Sequence, residues 1–312
     1  MPAAAFRQEP NAGIAIRLAV SLSIAGIAIA LRAIGDNALP LLRDIAAFIS
    51  SLSIADGLSL TMIGVITIVV FLAGVVSGLS GFAFSAVAAC IIWLLPPLKA
   101  VPLIMLLSAC NQLLSLGKLR KEMVLRSTVE REGALAYIVG GVVGVPIGLE
   151  LLHGLPSSMF AGGLGLFLIL YSVFVLLRPD SLRIKLSGWR PAAAVGAAGG
   201  IVGGFSAFPG SMPVVYLGLR GLSKTETRSI TQPYILVLQL VSLSILALTR
   251  PATFDTKFWL LWALTLPAVL LGSSTGVALY RRMSEVNFRR AVLILLIVSG
   301  VSLVTKALIQ SI

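Results

Sequence analysis

The residues of this chain best able to do chemistry are short polar ones set inside apolar runs. Ser80 and Ser85 flank Gly81 in Gly74-Val-Val-Ser-Gly78-Leu-Ser80-Gly81-Phe82-Ala-Phe-Ser85. Ser206 and Ser211 flank Pro209 and Gly210 in Gly200-Ile-Val-Gly-Gly204-Phe-Ser206-Ala-Phe208-Pro209-Gly210-Ser211, about 126 residues further on, and the two stretches align without a gap. Four amides, Asn111, Gln112, Gln232 and Gln239, lie in the interiors of other apolar runs. Hydroxyls, amides and the backbone N–H groups of an interrupted helix bind an anion without any opposing charged side chain. Glycine lets the backbone leave the helical region and lets a ligand approach. The expected binding set is therefore Gly78, Ser80, Gly81, Ser85, Asn111, Gln112, Gly204, Ser206, Pro209, Gly210, Ser211, Gln232 and Gln239. Each also has a plainer reading as a helix-packing glycine or serine, or as an amide joining helices.

Other chemistries lack their residues. The acids Asp36, Asp44, Asp56, Glu122, Glu130, Glu132, Glu150, Asp180, Asp255 and Glu285 fall in loops or at the ends of apolar runs, and Glu226 and Arg228 sit at a helix start where they could pair. A carboxylate proton relay and a cation substrate are both disfavoured by that distribution. Cys90 and Cys110 belong to no CxxC or metal-type cluster, and His153, the one histidine, sits at the end of an apolar run. Neither a nucleotide-binding loop nor a hydrolase motif occurs in a usable context. The chain is expected to have no catalytic residues, no metal site and no cofactor.

The elements that position these groups are membrane helices. Of 312 residues, 58% are hydrophobic and only 12% charged, against about 25% charged in soluble domains. The mean hydropathy is +1.02. Apolar runs of roughly 20 residues recur along the chain, which makes it an all-α polytopic integral membrane protein. The net charge of +12 arises from lysines and arginines in short connections. The positive-inside rule accounts for it better than nucleic acid does.

Residues 1–60 hold a polar tail, a first span at Ile14–Ile34 and a connector with an interfacial helix over Leu41–Leu52. A first unit, residues 61–178, places spans at Thr61–Ser80, Lys99–Leu116, Ala134–Leu152 and Phe160–Leu177. A second, residues 191–310, places them at Pro191–Phe205, Ile230–Leu248, Phe258–Tyr280 and Ala291–Ile309. Each unit has a short apolar element after its glycine break, Phe82–Leu95 and Ser211–Leu219. Both are too short to cross a core of about 30 Å as straight helices. Gly144 and Gly148 recur as Gly272 and Gly276, about 128 residues later. Duplicated broken helices point to a transporter's substrate site.

Loop charges set the orientation of the units. In the first, the basic loop (Lys118, Arg120, Lys121, Arg126, Arg131) follows the Lys99 helix, and the loop at His153 is neutral. In the second, the corresponding loop (Arg250, Asp255, Lys257) is lightly charged, while the one matching His153 holds Arg281, Arg282, Arg289 and Arg290. With basic loops in the cytoplasm the two units are inverted repeats, with about nine to eleven transmembrane segments in all. Re-entrant short elements and parallel repeats are the rival arrangement. Lys99 and Arg228 are placed to draw anions to the mouths, or are ordinary interfacial residues.

Taken together, Gly74-xxx-Gly78-xx-Gly81-Phe82, Gly200-xx-Gly203-Gly204…Pro209-Gly210, the helix entry Pro97-Leu-Lys99-Ala, and the pairs Gly144/Gly148 and Gly272/Gly276 resemble the TauE/SafE family over roughly residues 61–310. That family comprises sulfite exporters and relatives that include toluene-sulfonate uptake permeases. The resemblance implies transport of a small organosulfur or carboxylate anion across a bacterial inner membrane, with no prosthetic group. The glycine cluster is thinned here to Ser-Gly-Phe-Ala and Ser-Ala-Phe-Pro-Gly, the first half lacks a match to Pro209, and an extra span precedes the units. Substrate, direction and coupling ion stay open, and an anion channel or a carboxylate permease is the alternative. The implied partners are the small anion and the lipid bilayer, with no nucleic acid and with a homodimer as an open option.

Overall fold

The computed structural model describes residues 60–125, 133–178, 182–280 and 285–311, and every regular element in them is a helix. The expected first span, the connector and its interfacial helix lie outside the described residues. Helix α1 is Leu60–Ser80; α2 is Phe84–Ala88, continued by a 3-10 turn at Ala89–Trp93; α3 is Pro97–Leu125, α4 Gly133–Gly154 and α5 Ser157–Leu177. Then come α6 (Trp189–Ser206), α7 (Ser211–Arg220), α8 (Lys224–Thr249), a 3-10 turn at Pro251–Thr253, α9 (Thr256–Tyr280) and α10 (Glu285–Ser311). The order long, short, long, long, long thus occurs twice. The chain divides into the units Met1–Thr67 and Ile68–Ile312, and α1 begins in the first. There Thr67 Oγ1 donates to the Ile63 carbonyl at 2.7 Å, within the helix's own turn.

Among the described residues, six helices are long and apolar enough to cross a membrane: Thr61–Ser80, Ala134–Gly154, Ser157–Leu177, Glu226–Thr249, Thr256–Leu279 and Leu293–Gln310. Phe84–Trp93 and Pro97–Leu113 are shorter apolar helices. Two boundaries differ from expectation. The basic segment from Lys118 continues α3 to Leu125 instead of opening a loop, because Lys, Leu, Arg, Glu and Met are all good helix formers. The helix expected from Ile230 likewise begins earlier, at Lys224. That helix starts with a capping box: the Ser223 hydroxyl accepts from Glu226 N–H (3.3 Å), and the Glu226 carboxylate accepts from Ser223 N–H (2.8 Å).

Glycine decides the packing. Gly140, Gly144 and Gly148 of α4 face the carbonyl oxygens of Ala193, Ala197 and Ile201 of α6. In return Gly196, Gly200 and Gly204 face those of Tyr137, Gly141 and Val145. A methyl group at any of these positions would fall on backbone, so α4 and α6 touch main chain to main chain. The same scheme holds residue for residue between α1 and α9. Gly74 and Gly78 face the Val269 and Ser273 carbonyls, and Gly272 and Gly276 face those of Phe71 and Val75. Rising numbers meet rising numbers, so both pairs run parallel. Helices α5 and α10 cross at Gly165 and Gly300, each set against the other's carbonyl. Gly162 meets Ala307 near the start of α5, so this pair runs antiparallel.

Candidate functional site

Both breaks are left-handed helix ends. The backbone turns at Gly81 (φ 85°) and at its counterpart Ala207 (φ 61°). Gly81 N–H donates to the Ser77 carbonyl at 2.6 Å and Ala207 N–H to that of Gly203 at 2.8 Å, the αL termination of a helix. The serines before them act alike: Ser80 Oγ donates to the Val76 carbonyl (2.8 Å) and Ser206 Oγ to the Val202 carbonyl (2.7 Å). The next residues, Phe82 and Phe208, stack on each other with ring centroids 6.2 Å apart and planes 8° from parallel. The two breaks therefore meet face to face.

A cavity of about 360 Å³ lies against this meeting point. Its lining includes three arginines, Arg178, Arg183 and Arg228, and, among the described residues, no carboxylate. Ser80, Thr227 and Thr231 add hydroxyls, and Tyr171 also lines the cavity. The buried Tyr171 hydroxyl has no hydrogen-bond partner among the described residues, and the ring packs edge-on against Phe208 at 5.7 Å. Phe82 and Tyr171 thus line the cavity, with the Phe208 ring packed against both. Arg178 follows the C-terminus of α5, and Arg183 lies on the connection to α6. Both guanidinium groups occupy space beside α7 that a side chain at Gly218 or Gly221 would fill. Arg228 comes from the first turns of α8; its Nε donates to the Ser80 carbonyl at 3.3 Å and its Nη2 to the Leu79 carbonyl. A cation at the C-terminal end of α1 complements the helix dipole.

The expected residues divide into three groups. Ser80 lines the cavity, and Gly81 stands beside it with Arg228 Nε 2.8 Å from where a Cβ would be. Amides gather around the first break. Gln112 Nε2 donates to the Gly81 carbonyl (3.1 Å) and Asn111 Nδ2 to Ser77 Oγ (2.8 Å). Gln232 Nε2 sits 3.2 Å from the Gly81 Cβ position. Gln112 Oε1, Gln232 Oε1 and both amide atoms of Gln239 are buried with no partner among the described residues. The remaining residues serve the backbone. Gly78 and Gly204 seat the helix contacts described above; Gly210 meets Ile235 and Phe82, and Pro209 packs on Gly203. Ser206 bonds its own helix, Ser211 Oγ donates to the Phe208 carbonyl at 3.1 Å, and Ser85 is buried in α2.

Two expectations about donors change. At the first break, Ser80 Oγ already accepts from Phe82 N–H (3.3 Å) and Ala83 N–H (3.1 Å), so these amides are occupied before a ligand arrives. The positive character comes from arginine instead. Lys99 does not stand open at a mouth: its Nζ bonds Asp255 Oδ2 (2.6 Å) and the Ala252 and Thr253 carbonyls (3.2 and 3.0 Å). Arg178, Arg183 and Tyr171 were not expected in the site. The arginines carry no local motif, and only the fold brings residues near 80, 175, 220 and 228 together.

Apolar helices that pack by glycine, interrupted twice where a cationic cavity ends, make an integral membrane protein of the transporter class. The chain belongs to the family described as Sulfite exporter TauE/SafE, whose model matches residues 66–303. Searches of curated proteins and of solved structures return no match.

Proposed function

We propose that the protein is a secondary transporter that carries a small anion, sulfite or a sulfonate, across the bacterial inner membrane by alternating access. The observation that carries this reading is the cavity lined by Arg178, Arg183 and Arg228 with no opposing carboxylate among the described residues. An anion entering it exchanges water for guanidinium and hydroxyl donors, and charge-assisted bonds to arginine are the strong ones. Family membership supports an organosulfur cargo. The stacked Phe82–Phe208 pair joins the two breaks beside the cavity, and on this reading passage requires the breaks to part.

The same reading takes residues 61–178 and 191–310 as inverted repeats. Helix directions support it. The first helix of each unit runs parallel to the fourth of the other, whereas the two fifth helices, α5 and α10, run antiparallel. Five crossings per unit with inversion satisfy all three relations. Parallel repeats would make the fifth helices parallel as well. Inverted repeats give alternating access a simple form: each unit takes the conformation of the other.

The test is uptake of labelled sulfite, sulfonates and small carboxylates by proteoliposomes holding purified protein, with and without a pH gradient. Saturable flux of a sulfur anion is the expected result. Flux that fails to saturate would make the protein a channel, and flux of carboxylates alone would move the substrate class.

A further inference from the structure

Lys306 is a buried cation in the last span, with 8% of its surface exposed. Its Nζ donates to the Ile92 carbonyl and stands 5.9 Å from the centre of the Trp93 ring. Among the described residues no carboxylate lies within ion-pair range of it. A lysine so placed within a membrane is costly unless it has a use.

Its position supplies one. Helices α5 and α10 cross antiparallel at Gly165 and Gly300. Tyr171 lies six residues beyond Gly165 and Lys306 six residues beyond Gly300, so each is about 9 Å from the crossing, in opposite directions. Tyr171 lines the arginine cavity; Lys306 holds the matching place towards the other face. The surroundings correspond too. The Ile92 carbonyl, which takes Lys306, has Gly218 as its counterpart at the spacing that relates Gly74 to Gly200. The Gly218 carbonyl faces Arg183 Nη1 at 3.5 Å, so a cation meets this carbonyl on both sides. The 3-10 turn is further tied to α10 by Trp93 Nε1 to Ser302 Oγ (2.8 Å) and Cys90 Sγ to Ser299 Oγ (3.4 Å). These contacts close the region where an opposite cavity would form.

We infer that Lys306 is the anion-binding cation of the opposite-facing state, held in this state by the Ile92 carbonyl and the Trp93 ring. The inference rests on the inverted-repeat carrier reading. When the second unit takes the conformation of the first, Lys306 leaves Ile92 and lines a vestibule on its own face, as Tyr171 lines the arginine cavity now. The two vestibules then bind the anion with different cations: arginines on one face, a lysine on the other.

The test has an arm that needs no substrate. In a background with Cys90 and Cys110 replaced by alanine, Lys306→Cys is treated in right-side-out and inverted proteoliposomes with a membrane-impermeant cationic methanethiosulfonate. Labelling is expected from the face opposite Arg178, with Tyr171→Cys labelled from the Arg178 face. Absence of labelling, or labelling of both cysteines from one face, would overturn the inference. Ser302→Cys, about one turn earlier and beside Trp93, serves if the Lys306 variant does not insert. In the uptake arm, Lys306→Gln is expected to raise half-saturating sulfite about tenfold from the face opposite Arg178 and less than about twofold from the other, and Lys306→Arg to restore it. An equal change from both faces would reduce Lys306 to a cap on the 3-10 turn. No sulfite uptake by the unmodified protein would count against sulfite as the cargo, and the labelling arm would still decide the role of Lys306.

Discussion

Replacing Arg228 by glutamine removes one of three cavity cations and, at the same time, the group that holds the end of α1. The two consequences are separable. A monoanion about 6 Å from a guanidinium gains about 3 kcal/mol at an effective dielectric constant near 20. Water and salt in an open cavity reduce that to about 1–2 kcal/mol, or roughly a 5- to 30-fold rise in half-saturating substrate. The second consequence is stability. The Leu79 and Ser80 carbonyls lose charge-assisted donors at a helix C-terminus, which costs about 1–3 kcal/mol. Arg183 is the control. It lines the same cavity but is exposed, so Arg183→Gln is expected to weaken uptake to a similar degree while leaving the melting temperature in detergent unchanged. Arg228→Lys keeps the charge but not the planar fork, and should recover affinity more fully than stability. The assay is proteoliposome uptake across a range of sulfite concentrations, with thermal unfolding of the same samples. If both glutamine variants keep half-saturation within about twofold of the parent, the cavity is not the anion's entry and the electrostatic reasoning fails.

Three further outcomes follow from the same geometry. Gly81→Ala forces a β-carbon into a left-handed position, 2.8 Å from Arg228 Nε; a backbone cost of about 1–2 kcal/mol and a displaced guanidinium should lower both stability and sulfite affinity, and normal uptake would detach Gly81 from the site. Gln239→Leu removes a buried amide whose two polar atoms have no partner among the described residues, so the melting temperature should hold or rise while uptake weakens; a large loss of stability with unaltered uptake would make Gln239 structural. Burial alone would raise the Asp255 carboxyl, but the Lys99 ammonium, the Phe258 N–H and the Lys257 charge together hold it below its usual range. The Lys99–Asp255 contribution is thus present above the ordinary carboxylate pKa and disappears as pH falls through the lowered one. Both side chains are partly exposed, so it is worth no more than about 1 kcal/mol. Asp255→Asn should flatten the acid side of the melting-temperature profile by that amount, and an unchanged profile would remove the pair from the account.

The fold was legible wherever backbone geometry demands a residue type. Close approach of two helices needs glycine, and so the stripes at Gly140, Gly144 and Gly148 and at Gly272 and Gly276 mark real contacts. A left-handed helix end favours glycine as well, and the break at Gly81 is where the duplicated pattern puts it. Its counterpart is Ala207, an alanine in the same backbone region, and that break was readable only by alignment with the first. The cavity was far less legible. Arginine at the end of an apolar run has one appearance in sequence whether it faces headgroups or a cavity, so Arg178 and Arg183 read only as loop charges. Arg228 reaches back across 148 residues to Ser80, a relation no local pattern encodes.

Gly81 and Ala207 also show where the two halves diverge. At Gly81 the space of a β-carbon is taken by Arg228. At Ala207 the methyl group is fully buried. Glycine is therefore required at the first break for a reason beyond its torsion angle: a side chain there would displace the cation. Counted at the spacing of the two breaks, the partner of Arg228 in the first unit is Pro102, inside α3, so no arginine can approach Ala207 in the same way. The basic residue on that side comes from α10, as Lys306, at the position matching Tyr171. On the inverted-repeat reading the halves share a backbone plan and differ in which helix delivers the charge. An anion crossing between them would leave one cation before meeting the next, which keeps either binding site from holding it too tightly for release.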